Sequence, residues 1–342
     1  MASILQKLQN EKYNSVFLST EALSGQFLSS LESRIFLPAT FKKVNNVVLS
    51  GMGGSALGAH VLKVLDICRV PFSFFHGYIA PTFVNKNTLF IASSYSGSTE
   101  EVIASLSDAE KKGAKIIIIS AGGKLEQIAK IKKYPFIKFE TTFNPSDQPR
   151  YGLGYSLGAL LNILISLNLI SYKKTEVKNI IKKIKPVSVL QAEKVAKELV
   201  GISPIFVASE FLVGNAHIAA NQINETCKTN AVYHTLPELN HHLMEGLKRP
   251  AINKKYLKFI FLESELYSKK INLRYKITKD IVGQNGINSF TLKVLGKTKL
   301  EQIINLMSIM SLAGLILAID YNESPTDIPF VNYFKTKLKK LS

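Results

Sequence analysis

Two hydrophobic patterns alternate along the chain. Short unbroken apolar runs occur at Val47-Val48-Leu49-Ser50, at Leu89-Phe90-Ile91-Ala92-Ser93, and at Ile116-Ile117-Ile118-Ile119 within Lys115 to Ser120. Each leads through small residues into a stretch with apolar positions three and four apart, over Ala56 to Leu65, Glu100 to Lys112 and onward from Lys124. Unbroken runs of this kind mark strands buried on both faces, and their alternation with helices predicts a parallel sheet. A helix over Leu153 to Leu169 closes the unit, and then the pattern restarts. Pro204 to Ser209 reads as a second opening strand, Leu212 to Cys227 as its helix, and Lys255 to Leu262 and Ser289 to Leu295 as further strands.

The fold class expected is therefore α/β, with two tandem doubly wound parallel-sheet (flavodoxin-like) subdomains and flanking N- and C-terminal helices. The expected boundaries are N-terminal helices over 1–40, a first α/β subdomain over 41–170, a lysine-rich connector over 171–185, a second α/β subdomain over 186–324 and a C-terminal helix over 325–342. Residues 1–40 show helical spacing without chemistry, so they are expected to pack on the outside of the first α/β subdomain.

Composition narrows the function. With 46% hydrophobic and 20% charged residues in 342, the chain can bury a sizeable core. The net charge of +18 comes almost wholly from lysine, since arginine stands only at Arg34, Arg69, Arg150, Arg249 and Arg274. The densest lysine runs, Lys173 to Lys185 and Lys335 to Lys340, lack interleaved aromatics, so a positive field for a small anion fits better than nucleic-acid binding. Cys68 and Cys227 stand alone, which points to neither a disulfide framework nor a thiolate metal site and suits a reducing, cytoplasmic compartment. Met1 to Glu11 has no apolar signal core, and the apolar stretches near Leu157 to Ile170 and Leu306 to Ile319 read as buried helices too short and interrupted to span a membrane.

The chemistry concentrates in a few segments. Ser94-Tyr95-Ser96-Gly97-Ser98-Thr99 sets four Ser and Thr hydroxyls and a turn glycine, with Tyr95 among them, just before a helix. A helix N-terminus offers unpaired N–H groups, so such a loop can seat a phosphate, although a single Ser or Thr there would be only a cap. Gly51-Met52-Gly53-Gly54-Ser55 after the first strand is a second, weaker candidate. Neither loop carries a GxxxxGK[ST] or complete GxGxxG fingerprint, which argues against a nucleotide. Gln222 to Lys228 contains Glu225, and Leu236 to His242 contains His241 and His242. A carboxylate and a histidine together suit carbon and oxygen proton transfer, whereas separately they are an ordinary helix-end glutamate and surface histidines. His234, Glu238, His241 and His242 match no metal-binding spacing, so no metal is expected. Arg150, in a loop before a glycine-punctuated helix, suits either anion stabilisation or a structural ion pair.

With these motifs in order along nearly the whole chain, the sequence resembles the bifunctional phosphoglucose/phosphomannose isomerase family, within the sugar isomerase (SIS) domain proteins. The resemblance rests on Gly51 to Ser55, Ser94 to Glu100, Pro149 to Tyr155, Asn224-Glu225, Pro237 to His241, and a tail helix from Pro325-Thr326 to Lys335. It implies two SIS-type subdomains, with the sugar phosphate held by Ser55, Ser94, Ser96 and Thr99 and the loop shaped by Gly53, Gly54 and Gly97. It implies Glu225 as the base between C2 and C1, His241 in ring opening, Arg150 facing the enediolate, and Lys335 near the ring oxygen. It implies no cofactor, and a homodimer whose active site lies at the interface with the histidine contributed across it. Ser98, Asp327 and His242 depart from the family pattern without removing a catalytic group. The alternatives carried are a non-catalytic SIS sugar-phosphate sensor and an SIS isomerase for another sugar phosphate.

Overall fold

A computed structural model describes residues 3–341. The first sheet has five parallel strands, β1 (Asn46–Ser50), β2 (Phe72–Phe75), β3 (Thr88–Ser93), β4 (Lys115–Ser120) and β5 (Phe136–Lys138), in the order β2-β1-β3-β4-β5. That is the flavodoxin-like order, with its switch point between β1 and β3, where open α/β sheets receive ligands at the carboxyl ends of their strands. The second sheet has four, β6 (Ser203–Ser209), β7 (Val232–Leu236), β8 (Leu257–Glu263) and β9 (Asn288–Lys293), ordered β7-β6-β8-β9 and again all parallel. Two tandem doubly wound units are thus present, as the alternating pattern implies.

The helices of nine residues or more run in chain order. They are α1 (Glu11–Glu21), α2 (Leu23–Glu32), α3 (Gly54–Leu65), α4 (Glu100–Lys111), α5 (Gly123–Lys132), α6 (Leu153–Ser166), α7 (Lys174–Lys183), α8 (Val189–Lys197), α9 (Val213–Cys227), α10 (Lys269–Gln284), α11 (Lys299–Asp320) and α12 (Pro329–Leu341). α3 comes after β1 and α9 after β6, and these two helices pack on each other and join the units.

Three short strands lie outside the sequence expectation. β2, β5 and β7 sit at sheet edges, so they have only one neighbour each and mix polar with apolar residues, as in Phe72-Ser73-Phe74-Phe75. α10 also escapes the pattern, because lysines and Arg274 cover most of its surface. Two expectations need correction. The stretch Leu306 to Ile319 belongs to α11, whose 22 residues, mean hydropathy 2.0, are long and apolar enough to cross a membrane by length and composition. However, 83% of its most apolar window is buried inside the protein, where each enclosed Leu or Ile contributes about 1.5–3 kcal/mol. The second correction concerns the N-terminal helices: α1 and α2 are not passive cover, because Ser19, Gln26 and Ser30 are buried polar residues with structural partners elsewhere.

Candidate active site

At the carboxyl end of β1 the chain turns through Gly51 to Gly54 into α3. Gly53 has φ +49° and ψ −132°, a conformation closed to other residues, and open space lies where a side chain would point. Ser55, in the first turn of α3, accepts the Tyr95 backbone N–H at 2.7 Å, tying this turn to the neighbouring one after β3. In that second turn Gly97 has φ +68°, and a Cβ there would lie 1.7 Å from the Gly122 carbonyl oxygen. The loop therefore stacks directly on the turn after β4, with the Leu125 N–H donating to the Gly97 carbonyl at 2.8 Å.

The hydroxyls of this loop do not serve as caps. Thr99 is the N-cap of α4 by position, yet its hydroxyl makes no capping bond and meets Ser94 Oγ at 2.7 Å. Ser94 is buried, Thr99 half-buried and Ser96 exposed, with Ser96 Oγ accepting the Ser98 N–H at 3.3 Å. Glu100 and Glu101 occupy the first turn of α4, so an anion must be received on the loop side of the helix end.

Arg150 adjoins the glycine turn. It sits in a 3₁₀ turn, Pro149–Tyr151, whose backbone abuts Gly54 so tightly that a Cβ there would lie 2.8 Å from the Pro149 carbonyl. Its side chain is 2% exposed and fixed on four acceptors: Gln148 Oε1 at 2.9 Å, Glu225 Oε2 at 3.1 Å, and the Pro325 and Thr326 carbonyls at 2.6 and 3.3 Å. Its Nε–H is buried without a partner in the described structure. Glu225, in the last turn of α9, leaves 35% of its side chain exposed, and Oε1 has no partner among the described residues. Lys228 caps α9 in the left-handed conformation and donates to the Glu225 carbonyl at 2.7 Å and to that of Ser324 at 2.8 Å. Burial first, then Arg150, holds its ammonium pKa below the ordinary lysine value.

Residues without a sequence signal hold this arrangement. Gln26 Nε2, from α2, donates to the Tyr151 carbonyl at 2.8 Å and to that of Phe143 at 2.9 Å, while its Oε1 accepts the Gly154 N–H at 3.2 Å. Gln222 Nε2 holds the Arg150 carbonyl at 3.0 Å. Asn144 Nδ2 donates to the Tyr95 hydroxyl at 2.7 Å, and burial pushes the Tyr95 phenol pKa up.

The structure thus gathers Gly53, Gly54, Ser55, Ser94, Gly97, Thr99, Arg150 and Glu225 along one connected strip. It does not bring His241 or Lys335 to them. His241 is exposed on the 3₁₀ turn Glu238–His241 after β7, and Lys335 is exposed on α12. The apolar face of α12, with Phe330 and Phe334, is also open to solvent. Among the described residues no group of three or more His, Cys, Asp or Glu could hold a metal, and the alternative cluster around His234 shows only Glu238 Oε1 and His242 Nε2 at 3.9 Å.

Two parallel sheets in tandem, with hydroxyl and glycine loops at the carboxyl edge of the first, define an SIS-domain protein. The pattern of the bacterial phospho-glucose isomerase C-terminal SIS domain matches residues 189–338. The bifunctional phosphoglucose/phosphomannose isomerase of Caldicellulosiruptor bescii is 32% identical over 317 residues, covering 87% of this chain and 91% of that one. The chain belongs to the bifunctional phosphoglucose/phosphomannose isomerase family. The D-glucosamine-6-phosphate 4-epimerase of Sulfolobus acidocaldarius is also 32% identical, over 208 residues, covering 60% of this chain and 64% of that one. Among solved structures, the C-terminal domain of glucosamine-fructose-6-phosphate aminotransferase from Francisella tularensis shares the fold at TM-score 0.68 and 16% identity, covering 91% of this chain and 96% of that one.

Proposed function

We propose that the protein interconverts glucose 6-phosphate, and mannose 6-phosphate, with fructose 6-phosphate through a cis-enediol intermediate. The observation that carries this is the Arg150–Glu225 pair. A carboxylate with a free oxygen and an immobilised guanidinium lie at the edge of a glycine and hydroxyl cradle. In this reading the first subdomain, 41–170, holds the phosphate through Ser55, Ser94, Ser96 and Thr99, and the second, 186–324, supplies the base. Phosphate binding by these distant contacts positions C1 and C2 against Glu225.

Glu225 Oε1 takes the C2 proton, the bond electrons move into the C1–C2 enediolate, and the protonated carboxyl returns the proton to C1. The developing oxyanion is met by Arg150, whose bonds to Gln148, Pro325 and Thr326 hold it in place before the reaction starts. The chemistry is proton transfer throughout and calls on no cofactor. Ring opening falls to His241 and Lys335, and because both are exposed and away from Glu225 within one chain, a homodimer supplying His241 across its interface fits the reading. A cytoplasmic setting agrees with a phosphorylated substrate and two free cysteines.

The test is Glu225→Gln assayed with each hexose phosphate. Activity at the wild-type rate would sink the assignment. The epimerase relative supports a second reading, an SIS enzyme for another sugar phosphate. Turnover of glucosamine 6-phosphate with none of glucose 6-phosphate would favour it.

A further inference from the structure

Three of the six histidines, His60, His76 and His217, meet away from the proposed catalytic groups. His60 lies in α3, His76 just after β2, and His217 in the second turn of α9. His76 Nδ1 is 2.7 Å from the Gly51 carbonyl oxygen, His60 and His76 approach through their Nε2 atoms at 3.4 Å, and His60 and His217 through their Nδ1 atoms at 3.0 Å. The nitrogens face each other in a line and do not converge on one point, which is why the group offers no metal site.

The line admits one set of neutral tautomers. A carbonyl only accepts, so His76 carries its proton on Nδ1 and presents a bare Nε2. His60 must then donate from Nε2, leaving its Nδ1 bare, and His217 must donate from Nδ1. Burial holds the His60 pKa down at about 3, with His217, His76 and Lys63 adding to it, and burial and then His76 lower that of His217. The charged groups acting on these two rings are therefore cationic, and no carboxylate offsets them. Phe74 packs on His60 and Lys63 lies over Phe74, while Tyr233 of β7 stacks on His217.

The two ends of the line are what give it a consequence. One end grips the first residue of the Gly51 to Ser55 turn. The other stands on α9, two helical turns or about 12 Å before Glu225. Between them α3 and α9 cross so closely that a Cβ on Gly214 would lie 2.7 Å from the Val61 nitrogen.

We infer that His217, His60 and His76 form a tautomer-locked relay of positioning residues that fixes the Gly51 to Ser55 turn relative to the helix carrying Glu225. The inference rests on the reading of that turn as part of the sugar-phosphate seat.

Two measurements test it. Long-range ¹⁵N–¹H spectra of the ring nitrogens in the intact protein at pH 7.5 should show Nδ1–H on His76 and His217 and Nε2–H on His60. Any other assignment overturns the relay, whatever the protein's substrate proves to be. In kinetics with glucose 6-phosphate, His76→Leu should raise KM about tenfold with kcat within about twofold. His76→Asn, whose amide can replace the Nδ1 donor, should restore KM to within about threefold. His217→Phe, which keeps the stack on Tyr233, should raise KM about threefold and shift the amide signals of Gly51 to Ser55. Unmoved Gly51 to Ser55 signals and unchanged KM in His217→Phe would overturn transmission along the relay. A protein inactive on hexose phosphates but with the expected tautomers and shifted signals would refute the function and leave the relay standing.

Discussion

The opening strands of the two units end differently. After β1 the chain turns through Gly53, at φ +49°, and the space over the N-terminus of α3 is open. After β6 the corresponding position of positive φ is Glu210, at +45°, and Phe211, 1% exposed, fills the place where a ligand would enter. The same topology thus offers an anion seat once and a plugged turn once. In the plugged unit the useful residue stands at the other end of the helix, where Glu225 reaches Arg150. One unit contributes the start of its helix and the other the end, which explains why the units share a pattern of elements without sharing motifs.

That division can be broken at several points. Glu225→Gln removes the second unit's contribution and should lower kcat by about 10³-fold with KM nearly unchanged, read by steady-state assay. Arg150→Lys keeps a charge but cannot fill the planar fork to four acceptors; kcat should fall about 10²-fold, and the melting temperature should drop as buried carbonyls lose their donor. Gly53→Ala forces a side chain into a glycine-only conformation costing about 1–3 kcal/mol, and KM should rise about tenfold. Glu210→Gly should relieve the positive φ and stabilise by up to about 1 kcal/mol without adding a site, because Phe211 still blocks it. Calorimetric titration giving two phosphate sites per chain in that variant would break the comparison.

The smallest effect is on pH. His60 is held neutral, its pKa depressed to about 3 from the ordinary 6.5, so the unfolded chain takes up a proton that the folded one refuses. The stability it contributes is present above about pH 6.5 and is lost as pH falls toward about 3. Denaturant midpoints should slope downward over that window, and His60→Gln should flatten the slope.

Central strands were legible in the sequence because burial on both faces leaves no room for polar residues; Leu49, Ile91 and Ile117 lie side by side in register. Edge strands were not, since one neighbour imposes only half the pattern. In the candidate site, the hydroxyl loop and Glu225 stood out by composition and position. Gln26, Gln148 and Gln222 did not, because an amide's role is set by which carbonyl lies within reach, and Gln26 reaches Tyr151 from 125 positions away. His60, His76 and His217 escaped for the same reason, since 16 and 157 positions separate their hydrogen-bonded pairs.

The four acceptors around Arg150 bear on protein synthesis. Two of them, the Pro325 and Thr326 carbonyls, leave the ribosome almost last, and the Tyr151 carbonyl beside it is held by Gln26, which leaves among the first. The first sheet, complete by Lys138, can form while translation continues. The arginine acquires its full set of partners only when nearly the whole chain has emerged, so a nascent chain can hold a folded first sheet long before it holds a working centre.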